Sequence, residues 1–276
     1  MFSDYHIHTY YSDDSNYPME KVVKDAIKLG IKELCFTDHV DYEIKSDWED
    51  ESDDKIIDGK AMIKVDYSKY FAEIDLLKEK YKNQMTIKKG LELGVQTQTI
   101  DRCKKLVKTW EMDFVILSIH QIENKELYTF DFQEGKTQKE YNEAYYQELY
   151  DVVRHFHDYS VLGHLDLIKR YDKEGIYPFE ESKEMITKIL TYIIADGKGI
   201  ELNTSSFRYG LKDLMPCREI LELYLELGGT ILTLGSDSHE ELHLGAYINE
   251  CKQELKKIGF KQFCTFEKMQ PIFHRL

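Results

Sequence analysis

The chain has 276 residues, of which 42% are hydrophobic and 13% aromatic, and its formal net charge at pH 7 is −14. A chain of this length and composition can bury a sizeable core without disulfides. The excess of carboxylates argues against a nucleic-acid partner, because nucleic acids are bound mainly through Lys and Arg on phosphates. The net charge does not exclude a small anionic substrate.

The cysteines and the hydrophobic pattern indicate the compartment. Five cysteines stand far apart at positions 35, 103, 217, 251 and 264, with no CxxC pair, which predicts reduced thiols. No apolar run approaches the roughly 20 residues of a membrane helix, and the N-terminus lacks a signal-peptide pattern. We therefore expect a cytoplasmic protein that does not associate with a membrane.

Short apolar runs alternate with longer amphipathic stretches along the chain. The predicted strands are 5–9, 33–39, 88–95, 113–120, 159–166, 199–205 and 230–239. The predicted helices are 18–30, 66–81, 136–156, 179–197 and 217–229. Such alternation predicts parallel strands of an α/β fold. A closed barrel of the TIM-barrel type is favoured over a doubly wound open sheet, because no GxGxxG follows a strand and no GxxxxGK[ST] is present.

One stretch departs from this alternation. Residues 41–55, "DYEIKSDWEDESDDK", are dense in Asp and Glu and show no period. A solvated loop is the favoured interpretation, and a lid over the site is the alternative. Because the chain shows no internal repeat and no linker, we predict a single domain over residues 1–276.

Six of the ten histidines fall at or near the carboxyl ends of predicted strands: His6, His8, His39, His120, His164 and His239. In a closed parallel barrel these strand ends meet at one face, where such folds carry their chemistry. The other four, His155, His157, His243 and His274, lie on predicted helices or in the tail, and we expect them to be structural.

Carboxylates accompany these histidines. Glu92 lies inside the apolar strand "GLELG", where an unpaired carboxylate would be costly to bury. Asp38, Asp166 and Asp237 occur in "FTDH", "GHLD" and "GSDSH". Zinc, iron and manganese all accept imidazole and carboxylate ligands, and this set exceeds what one ion can use. The pattern predicts a site for two or three divalent transition metals, and no G-x-S-x-G elbow supports a serine hydrolase.

The ordered motifs "DYHIHT", "FTDH", "GLELG", "SIH", "GHLD", "ELNTSSFR" and "GSDSH" resemble those of the polymerase and histidinol phosphatase (PHP) superfamily. Within it, the chain is most similar to the histidinol-phosphate phosphatase branch. The resemblance implies a distorted seven-stranded β/α barrel and metal-dependent hydrolysis of a phosphate monoester. Three divalent ions would make the site attractive to a phosphate dianion despite the acidic chain.

The resemblance also implies a trinuclear ligand set. The first metal would take His6, His8, Glu92 and Asp237, and Glu92 would bridge to a second metal held by His120 and His164. The third would take His39 and His239 with Asp14, where many relatives have a histidine; Asp13 is the alternative. Asp4 is expected to hydrogen-bond a ligand imidazole rather than bind metal.

Candidate substrate contacts lie in or beside these motifs. Arg170 and Arg208 are candidate phosphate clamps, because a guanidinium matches phosphate oxygens; ordinary surface arginines are the alternative. Asp41 could contact the substrate or protonate the leaving alkoxide. The implied reaction converts L-histidinol phosphate and water to L-histidinol and phosphate in histidine biosynthesis. The alternatives are another small phosphoester, such as phosphotyrosine or a nucleotide, and a non-catalytic metal-binding PHP domain.

Overall fold

The computed structural model describes residues 1–45, 56–57, 60–61 and 65–276. The strands are β1 (Ser3–Asp4), β2 (Glu33–Phe36), β3 (His39–Asp41), β4 (Ile56–Ile57), β5 (Lys60–Ala61), β6 (Thr86–Gly94), β7 (Phe114–Ser118), β8 (Gln121–Ile122), β9 (Lys125–Glu126), β10 (Val161–Leu162), β11 (Gly199–Asn203), β12 (Leu232–Gly235), β13 (Gln262–Glu267) and β14 (Gln270–Arg275). The helices are α1 (Met19–Leu29), α2 (Tyr67–Tyr81), α3 (Ile100–Thr109), α4 (Gln138–His155), α5 (Phe179–Ala195), α6 (Arg218–Glu226) and α7 (Ile248–Ile258).

Seven parallel strands form a nearly closed barrel in the order β1, β2, β6, β7, β10, β11, β12, and β3 pairs with the second half of β6. The first and last strands approach each other: the Tyr5 N–H donates to the Leu234 carbonyl at 3.0 Å and the His8 N–H to the Ser238 carbonyl at 2.8 Å. The predicted β/α barrel is therefore confirmed. All strand carboxyl ends consequently lie at one face.

The sequence explains the layering of helices around the barrel. Every residue of β7, "FVILS", is buried, as expected of a parallel strand covered on both sides. Helix α1 turns Val22, Val23 and Ala26 inward and ends at Gly30, whose φ of 79° is readily accessible to glycine. The five predicted helices correspond to α1, α2, α4, α5 and α6. Their predicted ends agree with the observed ends to within a few residues.

Several elements differ from the sequence-based expectation. Helices α3 and α7 and the hairpin β13–β14 were not predicted. The turn of the hairpin, Lys268–Met269, has positive φ at both residues without the Asn or Gly that normally marks such a turn. The predicted strand 159–166 shrinks to Val161–Leu162, and bends and turns follow it through Asp166.

The acidic stretch 41–55 is only partly described. Asp41 ends β3 and a turn follows to Lys45, whereas residues 46–55 lie outside the described residues. Neither the loop nor the lid interpretation is therefore tested. Among the helices that the structure does describe, none combines the length and apolar character that crossing a bilayer requires.

Candidate metal centre

The nine predicted ligands lie together at the carboxyl face of the barrel. His6 and His8 follow β1, His39 opens β3, Glu92 lies in β6, and His120 and His164 follow β7 and β10. Asp237 and His239 follow β12, and Asp14 lies in the loop before α1. Side chains separated by more than two hundred residues thus share one site.

Glu92 lies at the centre of the cluster and is fully buried. Its Oε2 lies 3.1 Å from His6 Nε2 and 3.0 Å from His39 Nδ1. Its Oε1 lies 2.8 Å from His164 Nε2 and 3.2 Å from His120 Nε2. One carboxylate whose two oxygens each face different imidazoles has the geometry of a ligand that bridges two ions.

Asp237 joins the group from the segment after β12, which lies next to the segment of His6 and His8 that follows β1. Its Oδ1 lies 3.5 Å from His8 Nε2, 3.7 Å from His6 Nε2 and 3.6 Å from His239 Nδ1. The backbone of Asp237 is in the left-handed region, at φ 55°, which a non-glycine residue adopts at a cost. The fold therefore maintains a strained conformation that turns this carboxylate toward the histidines.

The geometry distinguishes between the two aspartates proposed for the third ion. Asp14 Oδ2 lies 2.9 Å from His239 Nε2 and 3.5 Å from His39 Nε2. Asp13 instead forms an ion pair with the buried Lys45 ammonium. The contacts therefore favour Asp14 over Asp13 as the ligand.

The donor set fits divalent transition metals. Four buried atoms of the cluster have no hydrogen-bond partner within the described part of the chain: His6 Nε2, His8 Nε2, His39 Nδ1 and Glu92 Oε2. Unsatisfied buried polar atoms of this kind call for a ligand. The side chains of the site form four groups of three, and within each group the possible ligand atoms lie within 4.8 Å of one another. The groups are His6, His8 and Asp237; His6, Glu92 and His164; His8, His39 and His239; and His39, Asp41 and His120. Imidazole and carboxylate groups in this arrangement suit zinc, iron or manganese.

Burial and charge act against each other in the cluster. Burial opposes protonation, but Glu201, Glu92 and Asp237 raise the pKa of His6 well above its usual value. In the same way, Glu92 and Asp41 outweigh burial and raise the pKa of His120 to about 9. Protons and metal ions compete for these nitrogens, since a ligand imidazole must be neutral.

Glu201 is a functional residue that the sequence analysis did not single out. Its Oε1 accepts a hydrogen bond from His6 Nδ1 at 2.6 Å, which leaves His6 Nε2 to face Glu92. A Cβ added at Gly235 would collide with both Glu201 and His6, so the glycine permits this close approach. Glu201 stands in the apolar strand "GIELN", and the reasoning that identified Glu92 in "GLELG" would have found it.

The expectation for Asp4 was wrong. Among the residues that the structure describes, its carboxylate accepts hydrogen bonds from the backbone N–H groups of Ser236 and Gly245 at 2.9 Å, and from no imidazole. Asp4 therefore joins β1 to the segment that follows β12. The predicted contact with an imidazole is made by Glu201 instead.

His8 is oriented by a short chain of hydrogen bonds. Its Nδ1 lies 3.2 Å from Ser12 Oγ, and that hydroxyl donates to Asp38 Oδ1 at 2.7 Å. Burial raises the pKa of Asp38 to about 6, although hydrogen bonds from Thr9 and Ser12 oppose the shift. Such contacts hold the ring so that Nε2 faces the metal site.

Asp41 orients the His120 ring, as Ser12 orients the His8 ring. Its Oδ1 accepts from His120 Nδ1 at 2.8 Å, and its Oδ2 lies 2.9 Å from Lys45 Nζ. Burial opposes ionisation, but Lys45 and His120 hold the pKa of Asp41 far below its usual value. An ionised carboxylate has no proton to give, so these contacts favour orientation of His120 over the proton-donor role considered from the sequence.

The cluster opens into a cavity of about 540 Å³ that both candidate clamps line. The Arg170 side chain is 8% exposed; its Nη2 donates to Ser205 Oγ at 2.6 Å and lies 3.6 Å from Asp237 Oδ2, while its Nε makes no hydrogen bond to a described residue. Arg208 donates to the carbonyls of Ser236 and Asp237 at 2.6 and 2.7 Å. Neither is an ordinary surface arginine, and Arg170 keeps an N–H for a ligand. His243, expected to be structural, also lines the cavity.

Replacing Glu201 by glutamine should lower the affinity for the ions held by His6. The substitution keeps the size of the side chain but removes the charge that orients the imidazole, and losses of such partners typically cost about 10- to 100-fold in metal affinity. Competition with a chromophoric chelator measures this loss. Glu222→Gln, on the exposed face of α6, is the matched control. Equal metal affinity in both variants would show that Glu201 does not contribute to metal binding.

Comparison with known proteins agrees with this geometry. A PHP domain family model matches residues 4–205. The chain is 32% identical to the histidinol-phosphatase of Lactococcus lactis subsp. lactis (strain IL1403), with 97% of this chain and 95% of that protein covered. It is 29% identical to a probable histidinol-phosphatase of Thermotoga maritima, with 94% and 93% covered.

The solved structures include a close counterpart of the fold. The crystal structure of the Lactococcus lactis histidinol phosphate phosphatase, complexed with zinc, L-histidinol and phosphate, superposes with a TM-score of 0.84. The two chains are 30% identical, and 98% of each is covered. From its seven-stranded barrel, its converging histidines and carboxylates, and these matches, the chain belongs to the PHP domain family.

Proposed function

We propose that the chain hydrolyses L-histidinol phosphate to L-histidinol and phosphate, as a step of histidine biosynthesis. The observation that carries the proposal is Glu92, a buried carboxylate facing five imidazoles beneath a cavity that two arginines line. The Lactococcus lactis relative is named for this activity, and its crystal structure holds zinc, L-histidinol and phosphate. The cytoplasmic location and the lack of a nucleic-acid partner, both expected from composition, are part of the proposal.

Two or three divalent ions, zinc, iron or manganese, would be held by the nine ligands. His6, His8, Glu92 and Asp237 would hold the first, Glu92, His120 and His164 the second, and His39, His239 and Asp14 the third. Bound there, such ions supply Lewis-acid stabilisation of phosphate oxygens and lower the pKa of water. The convergence of all these side chains argues for a catalytic domain rather than one that has lost its site.

The cavity provides different surroundings for the two ends of the substrate. At the metal end, the unpaired Nε of Arg170 can donate to a phosphate oxygen, and its positive charge offsets the dianion. The carboxylate of Glu126 lines the same cavity and provides negative charge for the ammonium or imidazole of histidinol, whereas Asp13 and Asp41, which also line it, are paired with the Lys45 ammonium. The aromatic ring of Tyr128 lines the wall as well. The phosphate would thus meet a positively charged group, and the cationic moiety would meet a negatively charged one.

Removal of the metals should abolish the activity reversibly. Protein purified without chelator should contain two to three transition-metal ions per chain by elemental analysis, in line with a multi-ion site. Chelator treatment should lower phosphate release from L-histidinol phosphate by about a thousandfold or more, and added zinc, manganese or iron should restore it. Full turnover by metal-free protein, or a content of one ion or fewer in active protein, would contradict the proposal.

A further inference from the structure

A second cavity, of about 280 Å³, shares no lining residue with the metal cavity. A 3-10 segment, Leu167–Tyr171, separates the two. Residues three apart share a face in a 3-10 helix. Leu167 and Arg170 line the metal cavity, whereas Asp166 and Lys169 line the second one. An occupant of the second cavity would therefore contact the segment that carries Arg170, on its other face.

Two polar atoms of this cavity, Asp166 Oδ1 and the Tyr146 hydroxyl oxygen, have no hydrogen-bond partner among the described residues. Asp166 is 2% exposed, and its other oxygen, Oδ2, accepts from Lys169 Nζ and the Cys217 N–H at 2.7 and 2.8 Å. Tyr146 is 6% exposed, and its hydroxyl makes no hydrogen bond to a described residue. A buried carboxylate oxygen left without a donor is costly, and each such group calls for an explanation.

The charge of the lining is negative. Asp166, Asp213 and Glu219 contribute three carboxylates, whereas Lys169 contributes one ammonium group, which is already bound to Asp166 and to the Leu214 carbonyl at 2.6 Å. The remaining wall is largely apolar and includes Phe179, Ile186 and Ile220. A cavity whose lining combines excess negative charge with apolar walls favours cations that carry an apolar body.

A metal ion fits this cavity less well than an organic cation. Ligand atoms of Asp213, Cys217 and Glu219 lie within 4.8 Å of one another. However, both oxygens of Asp213 already accept backbone hydrogen bonds, from the N–H groups of Leu214 at 2.8 Å and Arg218 at 3.0 Å. Burial also raises the pKa of the Cys217 thiol, so the thiolate that a metal needs is disfavoured.

We propose that this cavity binds a small organic cation, an ammonium group on an aromatic or aliphatic body. The ammonium donates hydrogen bonds to Asp166 Oδ1 and to the Tyr146 hydroxyl oxygen. The apolar body packs against Phe179, Ile186 and Ile220. The site is separate from the metal centre and does not depend on the function proposed for it.

Calorimetric titration of metal-loaded protein tests the site, with benzylamine as the cationic probe and benzyl alcohol as its neutral counterpart. Benzylamine should bind at least about tenfold more tightly, because only the ammonium forms a charge-assisted hydrogen bond with a carboxylate. Tyr146→Phe should weaken benzylamine binding about fivefold and Asp166→Asn about tenfold. Tyr145→Phe, which alters the neighbouring hydroxyl bound to the Leu165 carbonyl, is the matched control and should keep the affinity.

Hydrogen exchange identifies which cavity the probe occupies. Benzylamine should slow amide exchange in α4 and the first turns of α5, and in Tyr146→Phe the same protection should require about fivefold more benzylamine. Equal affinity for benzylamine and benzyl alcohol would overturn the proposal. Binding that neither Tyr146→Phe nor Asp166→Asn weakens, or protection confined to segments of the metal cavity, would overturn it as well. So would the absence of any binding at millimolar benzylamine.

Discussion

Replacing Glu92 by alanine should lower kcat by about a thousandfold or more, equivalent to roughly 4 kcal/mol of transition-state stabilisation. Among the described residues, Glu92 is the one carboxylate that contacts imidazoles of both the first and the second proposed metal. Its loss removes a ligand from each and leaves the buried imidazoles without their main counter-charge. Elemental analysis should therefore show a metal content reduced to one ion or none per chain.

The Glu92→Ala variant should remain folded, because its apolar neighbours Leu91 and Leu93 keep their packing in β6. Circular dichroism checks the fold, and Glu184→Ala on the exposed face of α5 is the matched control. Full turnover together with an unchanged metal content would disprove the bridging role. Loss of activity with a full metal complement would shift the role of Glu92 from binding ions to the chemistry itself.

Replacing Arg170 by methionine should raise KM for the phosphate ester by about 10- to 100-fold. Charge-assisted hydrogen bonds are worth about 1.5–3 kcal/mol, and methionine keeps much of the apolar volume over the Tyr209 ring, which lies 4.0 Å from the guanidinium. Competitive inhibition by inorganic phosphate should weaken by the same factor, because both ligands present the same oxygens. The metal content should stay unchanged, since no proposed ligand is removed.

The matched control is Arg154→Met, on the exposed part of α4, which should leave the kinetics unaltered. Arg208→Met offers a contrast, because the Arg208 guanidinium already donates to two carbonyls beside Asp237. Its loss should disturb the Asp237 loop and lower metal content more than it raises KM. Unchanged KM and unchanged phosphate inhibition in Arg170→Met would show that Arg170 does not bind the phosphate and is structural.

The convergence of the proposed ligands was predictable from the sequence because topology does most of the positioning. Once alternation of strands and helices indicates a closed parallel barrel, His39, Glu92 and His164 must converge, whatever their separation in sequence. The polar character of Glu92 within an apolar strand was a second, independent signal. Glu201 carries the same signal in β11 and was overlooked, so its omission was a failure of reasoning rather than of information.

Other contacts were not predictable because they depend on where strands end. Asp4 was expected to contact a ligand imidazole, but β1 ends at Asp4, and its carboxylate accepts hydrogen bonds from backbone N–H groups of the segment that follows β12. The ion pair of Asp41 with Lys45 requires the turn after β3 to fold back into the site, and no local pattern indicates this. Side-chain partners near strand ends are determined by loop paths, which periodicity does not encode.

The central claim is that this metal cluster acts on L-histidinol phosphate, and a panel of phosphate esters tests it most directly. The measurement compares kcat/KM for L-histidinol phosphate with the values for phosphotyrosine, nucleotides and p-nitrophenyl phosphate, using the same metal-loaded protein. We predict a preference of about a thousandfold for L-histidinol phosphate, equivalent to roughly 4 kcal/mol of discrimination. Equal kcat/KM across the panel, or a clear preference for phosphotyrosine or a nucleotide, would contradict the account.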